Sequence, residues 1–427
     1  MSATQVSNDV TRELRTICGD ENTRERPKGG VYVSPPSAEE VAAVLSFANQ
    51  HGLSVGLAGG STERSAAELQ TDIVLHLNQL TQIDHYDHAD LTVGIGAGTT
   101  IARLNEMVGA DKLMFAGDPA SPERCTVGGL LATASHGPLR HGYGAVRDYC
   151  IGVRFVTGDG RRAKGGGRVV KNVAGYDLMK LLIGSYGTLA VITSASFKLF
   201  PAPRQTRTYL AEFKTAKEAL AFRDGMMGSP LSPMCLELVS PGARKLMRPG
   251  MADDAWVICV RASGSDNVLG RYRKELGSAI TRELEGAAET EMWRAIQSFP
   301  DSAKVSANGM SVSAISQRMQ ITVPPRSVLP VIEMLAALSS GGEIGVALTG
   351  RIGIGHVQAV VWNRTGEPSE ILNRVVGVVR KGADDDRSIK VNGALNPWPI
   401  APTNMASMHA VKQALDPKNT LRGREIF

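Results

Sequence analysis

Two loops made almost entirely of small residues are the segments best able to bind an anion. They are Ala58-Gly59-Gly60-Ser61-Thr62, and Thr126-Val127-Gly128-Gly129 leading into Leu130-Leu131-Ala132-Thr133-Ala134-Ser135. Glycine lets backbone amides converge on a phosphate, and neighbouring hydroxyls add neutral donors without a lysine. A dinucleotide fingerprint of the GxGxxG kind is not met, because Gly94-Ile95-Gly96-Ala97-Gly98-Thr99 lacks the last glycine, and no Walker A string is present. Asp84-His85-Tyr86-Asp87-His88-Ala89-Asp90 holds metal-ligand residue types, but its position between two short apolar runs makes a solvated hairpin tip the plainer reading. Arg161-Arg162-Ala163-Lys164-Gly165-Gly166-Gly167-Arg168, extended by Lys171, concentrates positive charge without an acid. It reads as a solvated loop or as a docking point for an acidic partner. His136 and His141 stand in the glycine-rich stretch after the second loop, as core histidines or as groups beside a ligand.

Hydrophobic periodicity supplies the frame that must hold these loops. Ser37-Ala38-Glu39-Glu40 has capping-box spacing, and Val41, Val44, Leu45 and Ala48 follow at helical intervals, which predicts a helix over Ala38–His51. Strands are expected at 53–58, running straight into the first small-residue loop, and at 73–77, 82–86, 91–96, 150–157 and 189–199. A helix capped by Thr99-Thr100 should reach Val108, and another should cover 176–183. The first 30 residues read as a short helix plus linker, and 115–144 as a long functional loop. Beyond Pro201 and Pro203, strands at 210–213, 235–239, 256–261, 319–323 and 357–362 alternate with helices at 216–226 and 328–338. A loop at 382–399 and a helix at 404–415 close the sequence. The fold class is α+β, divided as a polar extension at 1–26, an N-terminal domain at 27–203, a second α+β domain at 204–400, and a tail at 401–427 that returns to the first domain.

The 427 residues carry a net charge of +5, with 21% charged and 5% aromatic residues, too dilute and too poor in stacking groups for a nucleic-acid or anionic-membrane surface. No apolar run of spanning length and no secretory leader is read, which places the protein in the cytoplasm. Five scattered cysteines without a CxxC pair argue against disulfides, structural zinc and an iron–sulfur cluster held by this chain; no metal site is expected.

The two loops are joined in order by Tyr143-Gly144, Arg147-Asp148, Asp159-Gly160, Gly175-Tyr176-Asp177-Leu178 and Gly184-Ser185-Tyr186-Gly187-Thr188-Leu189. This succession, from about Pro27 to Pro201, resembles the FAD-binding domain of the vanillyl-alcohol oxidase / p-cresol methylhydroxylase type. Lys171-Asn172-Val173-Ala174-Gly175-Tyr176-Asp177 resembles the FAD-binding subunits of bacterial glycolate oxidases, as do, more loosely, Asp416-Pro417-Lys418 and Leu421-Arg422-Gly423-Arg424. The resemblance implies a two-lobed FAD domain followed by a cap or substrate domain. It implies that Gly59, Gly60, Ser61, Thr62, Thr126, Gly128, Gly129 and Thr133 cradle the FAD pyrophosphate. Pro119 and Ala132 would line the cofactor, with Ile192 at the adenine end. No His stands in the first loop where some relatives attach flavin, so the FAD is expected to be noncovalent. The HxGDGNxH motif of D-2-hydroxy-acid relatives is here Thr349-Gly350-Arg351-Ile352-Gly353-Ile354-Gly355-His356, without the first His, the Asp and the Asn. No catalytic residue is therefore assigned, and His356, Arg351 and His136 are the candidates. The implied function is oxidation of glycolate to glyoxylate within a complex, with a homologous FAD-containing catalytic subunit and an iron–sulfur subunit as partners. Through those partners the chain could sit at the inner membrane face without inserting. The alternatives are a stand-alone dehydrogenase or oxidase of another 2-hydroxy acid or alcohol, and a non-catalytic FAD-binding scaffold.

Overall fold

In strands of the C-terminal half, odd and even residues feed two different cores. Leu236 and Leu238 pack with Ile258 and Val260 on one side, while Cys235, Val239, Val257 and Cys259 pack on the other. Strands buried on both faces read as continuous apolar runs, which is why 235–239 and 256–261 stand out in the sequence. The computed structural model describes residues 8–27, 29–62, 70–168, 177–247, 254–302, 306–307, 310–311, 316–339, 344–363, 375, 377, 388–392 and 404–423. The chain divides into two units, one of 1–136, 144–202 and 402–427, the other of 137–143 and 203–401.

In the first unit, a four-stranded sheet takes the order Thr23–Glu25, Val31–Val33, Ile73–His76, Val55–Ala58, with the last three parallel. A five-stranded antiparallel sheet takes the order Ile83–Asp87, Thr92–Gly96, Ala190–Lys198, Cys150–Thr157, Arg162–Gly166. The helix Ala38–His51 begins where expected, with the Ser37 hydroxyl accepting from the Glu40 amide at 3.3 Å, and it buries Val41, Val44, Leu45 and Ala48. Thr100 caps the helix Ile101–Gly109 in the same way.

The second unit is built on a sheet that, among the described residues, has eight strands, all paired antiparallel. Their order is Arg282–Leu284, Thr206–Phe213, Trp256–Ser263, Cys235–Val239, Ile344–Arg351, His356–Asn363, Ser316–Thr322, Ser388–Asn392. The helices Ala216–Met227, Asp266–Leu276 and Val328–Ala337 contribute to one core, and Pro241–Met247 and Gly286–Ser302 to the other.

Several expectations are corrected. Chain order starts before residue 31, because the helix Asn8–Cys18 buries Leu14 and Cys18 in the first unit's core and Thr23–Glu25 joins its sheet. The stretch 115–144 is not one long loop. It contains the helices Val127–Thr133 and Arg140–Tyr143, and Val146–Tyr149 follows, all too short to show a periodic stripe. The basic segment at 161–168 is largely the strand Arg162–Gly166, and it is not without acids: Arg162 meets Glu39, and Arg161 Nε lies 2.7 Å from Asp159. The helix expected at 176–183 spans Leu178–Leu182, and Lys171 to Tyr176 lie outside the described residues. Within 382–399, Ser388–Asn392 is a strand and the remainder lies outside the described residues. The strand Ile344–Arg351 and the helices Asp266–Leu276 and Gly286–Ser302 had no counterpart in the sequence reading.

Candidate functional site

An open cleft of about 960 Å³ lies in the first unit where the strand Val55–Ala58 gives way to the first small-residue loop. Of the eleven residues expected to hold a cofactor, ten line it: Gly59, Gly60, Ser61, Thr62, Thr126, Gly128, Gly129, Ala132, Thr133 and Ile192. Pro119 is buried and does not line it. Leu57, Ala58, Leu77, Ala97 and Ala190 complete an apolar wall, and Tyr186, Gly187, Arg422 and Gly423 close the cleft. The last four were legible as parts of motifs, yet nothing in their own chemistry gave them a place at the site.

The glycines serve mainly to let the two loops interlock. A Cβ on Gly60 would collide with the Arg124 carbonyl oxygen, and one on Gly59 would stand 2.6 Å from Thr126 Oγ1. One on Gly128 would come within 3.0 Å of the Ala97 Cβ. Arg124 Nη2 donates to the carbonyls of Ser61 and Gly60 at 2.9 and 3.3 Å, holding the loop by its acceptors. Ser61 takes the left-handed conformation at φ 53°. Among the described residues, the amides of Gly59, Gly60, Ser61 and Thr62 and the two hydroxyls make no hydrogen bond. Four consecutive free donors beside small side chains are the backbone arrangement that binds anions.

The second loop works differently from the expectation that its amides also donate. The Gly128 amide is bonded to the Ala97 carbonyl at 2.8 Å, and the Gly129 amide to Thr126 Oγ1 at 3.1 Å as the helix cap. Thr133 Oγ1 donates back to the Gly129 carbonyl at 2.7 Å. This loop therefore supplies clearance and shape, while the first supplies the donors. The pairing fits a dinucleotide whose diphosphate meets free amides and whose rings lie on apolar wall. FAD meets that requirement through the donor set present here.

The remaining candidates lie elsewhere. His136 belongs to the first unit and does not line the cleft. His141 belongs to the second, where burial lowers its pKa. Arg351 and His356 end one strand and begin the next, directly paired across a tight turn, and each is 1% exposed. Arg351 Nε donates to the Gly137 carbonyl at 2.6 Å and lies 3.2 Å from Glu237 Oε1, itself fully buried. His356 Nδ1 lies 3.2 Å from Thr322 Oγ1. Burial, then the Arg351 and Arg140 guanidiniums, hold His356 well below its usual pKa, so it is neutral at pH 7 and a weak proton acceptor. Glu237 was missed, although a carboxylate inside Cys-Leu-Glu-Leu-Val is a signal in itself.

All five cysteines are buried. Among the described residues, no group of three or more His, Cys, Asp or Glu could hold a metal ion, and no helix is long and apolar enough to cross a membrane. The segment read as a hairpin tip is one: Asp84 pairs with Arg154 at 2.8 Å, and Asp87 accepts from the amides of Ala89 and Asp90.

Residues 30–166 match the family model described as an FAD binding domain, and with the cleft this defines the class: the chain carries an FAD-binding domain. Its relatives narrow the class. It is 39% identical over 193 residues to a D-lactate dehydrogenase of Archaeoglobus fulgidus, a match covering 44% of this chain and 43% of that one. Glycolate oxidase subunit GlcE of Escherichia coli is 34% identical over 155 residues, 36% of this chain and 44% of that one. Both matches thus span less than half of the relative's length. Glycolate oxidase subunit GlcD of Bacillus subtilis is 23% identical over 99% of this chain and 97% of its own. An alkyldihydroxyacetonephosphate synthase shares the fold, with a TM-score of 0.74 at 16% identity, over 99% of this chain and 86% of the other.

Proposed function

We propose that this chain is an FAD-dependent oxidoreductase acting on CH–OH groups and, more narrowly, the FAD-binding subunit of a glycolate oxidase complex that converts glycolate to glyoxylate. The observation that carries the reading is the run of four unbonded amides at Gly59–Thr62 in a cleft of small and apolar residues. The similarity to GlcD and GlcE supports the choice of complex and substrate. Bound FAD supplies the hydride acceptor for the alcohol carbon. The residues of the first loop bind and orient the diphosphate, Thr126, Gly128, Gly129, Ala132 and Thr133 give the shape beside it, and Ile192 and the apolar wall exclude water. With no His in the first loop, the flavin is held noncovalently. The homologous flavoprotein and iron–sulfur subunits are the partners of this reading, and the cytoplasm is its location.

A second reading, an FAD-binding scaffold whose partner performs the chemistry, is favoured by one observation: Arg351 and His356 are 1% exposed and engaged inside the second unit. An anaerobic visible spectrum of the purified chain, before and after glycolate and then D-lactate, tests both. A flavin band bleached by glycolate makes the chain a dehydrogenase by itself. A band that bleaches only once partner subunits are added supports the subunit reading, while bleaching by D-lactate alone moves the substrate. A chain that takes up no FAD, alone or with partners, defeats both readings.

A further inference from the structure

The C-terminal tail forms an edge beside the strand that delivers the first loop. Leu421 bridges Val55 in parallel, the Val55 amide donates to the Thr420 carbonyl at 2.8 Å, and the Arg422 amide donates to the Val55 carbonyl at 2.8 Å. Because Val55–Ala58 runs directly into Gly59, a parallel tail travels toward the same loop, and Arg422 and Gly423 line the cleft. The tail is fastened from within. Lys412 Nζ donates to the carbonyls of Thr188 and Leu421 at 2.7 and 3.0 Å and meets Asp416 at 2.5 Å. Asp416, 1% exposed, accepts from the amides of Thr420 and Leu421, each at 2.8 Å. This is a built turn. A Cβ on Gly423 would stand 2.5 Å from Thr188 Cγ2, so the tail is seated closely on the segment that carries Tyr186 and Gly187.

The charge of the cleft gives the tail its meaning. Every other lining residue is neutral, and Arg422 is the one charged group among those described. Its guanidinium makes no ion pair and no hydrogen bond among the described residues. A diphosphate carries two negative charges, which neutral amides hydrogen-bond but do not neutralise.

We propose that the tail is part of the cofactor site: Arg422 supplies the countercharge to the FAD diphosphate, and tail docking and FAD binding stabilise each other. This rests on the reading of the cleft as an FAD site and extends it from the glycine loops to the far end of the chain. Coupling of this kind is reciprocal, so whatever loosens the tail weakens FAD, and FAD in turn protects the tail.

The test is FAD titration of the deflavinated full chain by quenching of flavin fluorescence, from low to high salt, for wild type, Arg422→Ala and Arg422→Lys. Arg422→Ala is expected to raise Kd about tenfold at low salt and to flatten its salt dependence, with Arg422→Lys recovering most of both. The thermal unfolding of the flavin-free protein should be unchanged by either substitution, which separates lost countercharge from lost fold. In parallel, FAD should slow tryptic cleavage after the exposed Lys418. If wild type binds FAD while Arg422→Ala shows the same Kd and the same salt slope, the tail assignment is overturned and the cleft reading stands. If FAD leaves cleavage at Lys418 unaltered, the coupling is overturned. A wild-type chain that binds no FAD overturns the cleft reading and the tail assignment together.

Discussion

Arg351 and Glu237 form an ion pair that neither solvent nor salt reaches, at 1% and 0% side-chain exposure. Removing one partner of such a pair strands the other charge, and the usual cost is about 3–5 kcal/mol, whereas replacing both by apolar groups is close to neutral. Arg351→Met should therefore cost several kcal/mol in urea unfolding, and Arg351→Met with Glu237→Leu should recover most of it. If the double variant is as unstable as the single, the pair is not the main function of these residues in the fold. His356 adds a pH dependence. Its folded pKa lies below the unfolded value, so below about pH 6.5 the unfolded chain takes up a proton that the folded chain refuses. Stability should fall as pH drops from 7.5 to 5, by up to about 1.4 kcal/mol per pH unit for one such group. His76, His85 and His141 are lowered too and act in the same direction. His356→Gln should thus flatten, not abolish, the drop in Tm. An unchanged slope would remove His356 as its source. None of this cluster was legible beyond Arg351 and His356 as letters in a degraded motif, because Glu237 and Gly137 reach them only through strand pairing and chain return.

At the scale of elements, local rules carried most of the first unit. Ser37 and Thr100 cap helices at the positions their side chains select, and the strands Cys150–Thr157 and Cys235–Val239 keep the bounds their apolar runs suggested. The failures are elements whose signal is not periodic. Val127–Thr133 is made of glycines and small residues, and its start is fixed by one hydroxyl, that of Thr126 on the Gly129 amide. Thr126→Ala should lose about 1 kcal/mol of stability as an absent cap. It also frees the Gly129 amide and removes the side chain against which Gly59 packs, so flavin content on purification should fall beyond what the stability loss explains. Full flavin content in a stably folded Thr126→Ala chain would show that the helix start and the cleft are independent.

For the whole molecule, what matters is how the chain is shared between its two units. The first unit is assembled from three separated stretches and the second from two. Composition and the two prolines after residue 200 mark one crossing, but nothing local marks the excursion of 137–143, whose Leu139 and Tyr143 pack in the second unit's core. A chain ending at residue 403 would lack Met405–Leu415 and the Leu421 edge of the flavin cleft, leaving Val55 without its hydrogen-bonded neighbour. It should unfold at a lower temperature and retain less FAD than the full chain, as read from the ratio of flavin to protein absorbance. Equal retention would make the tail an ornament of the cleft.

The same shared layout imposes an order on synthesis. As the ribosome delivers the chain, both glycine loops emerge early, but the edge that completes their cleft is translated only after the entire second unit. A nascent chain stalled in that interval carries four exposed amide donors with no closing wall. Durable cofactor loading therefore becomes a late event, reporting that both units have been made.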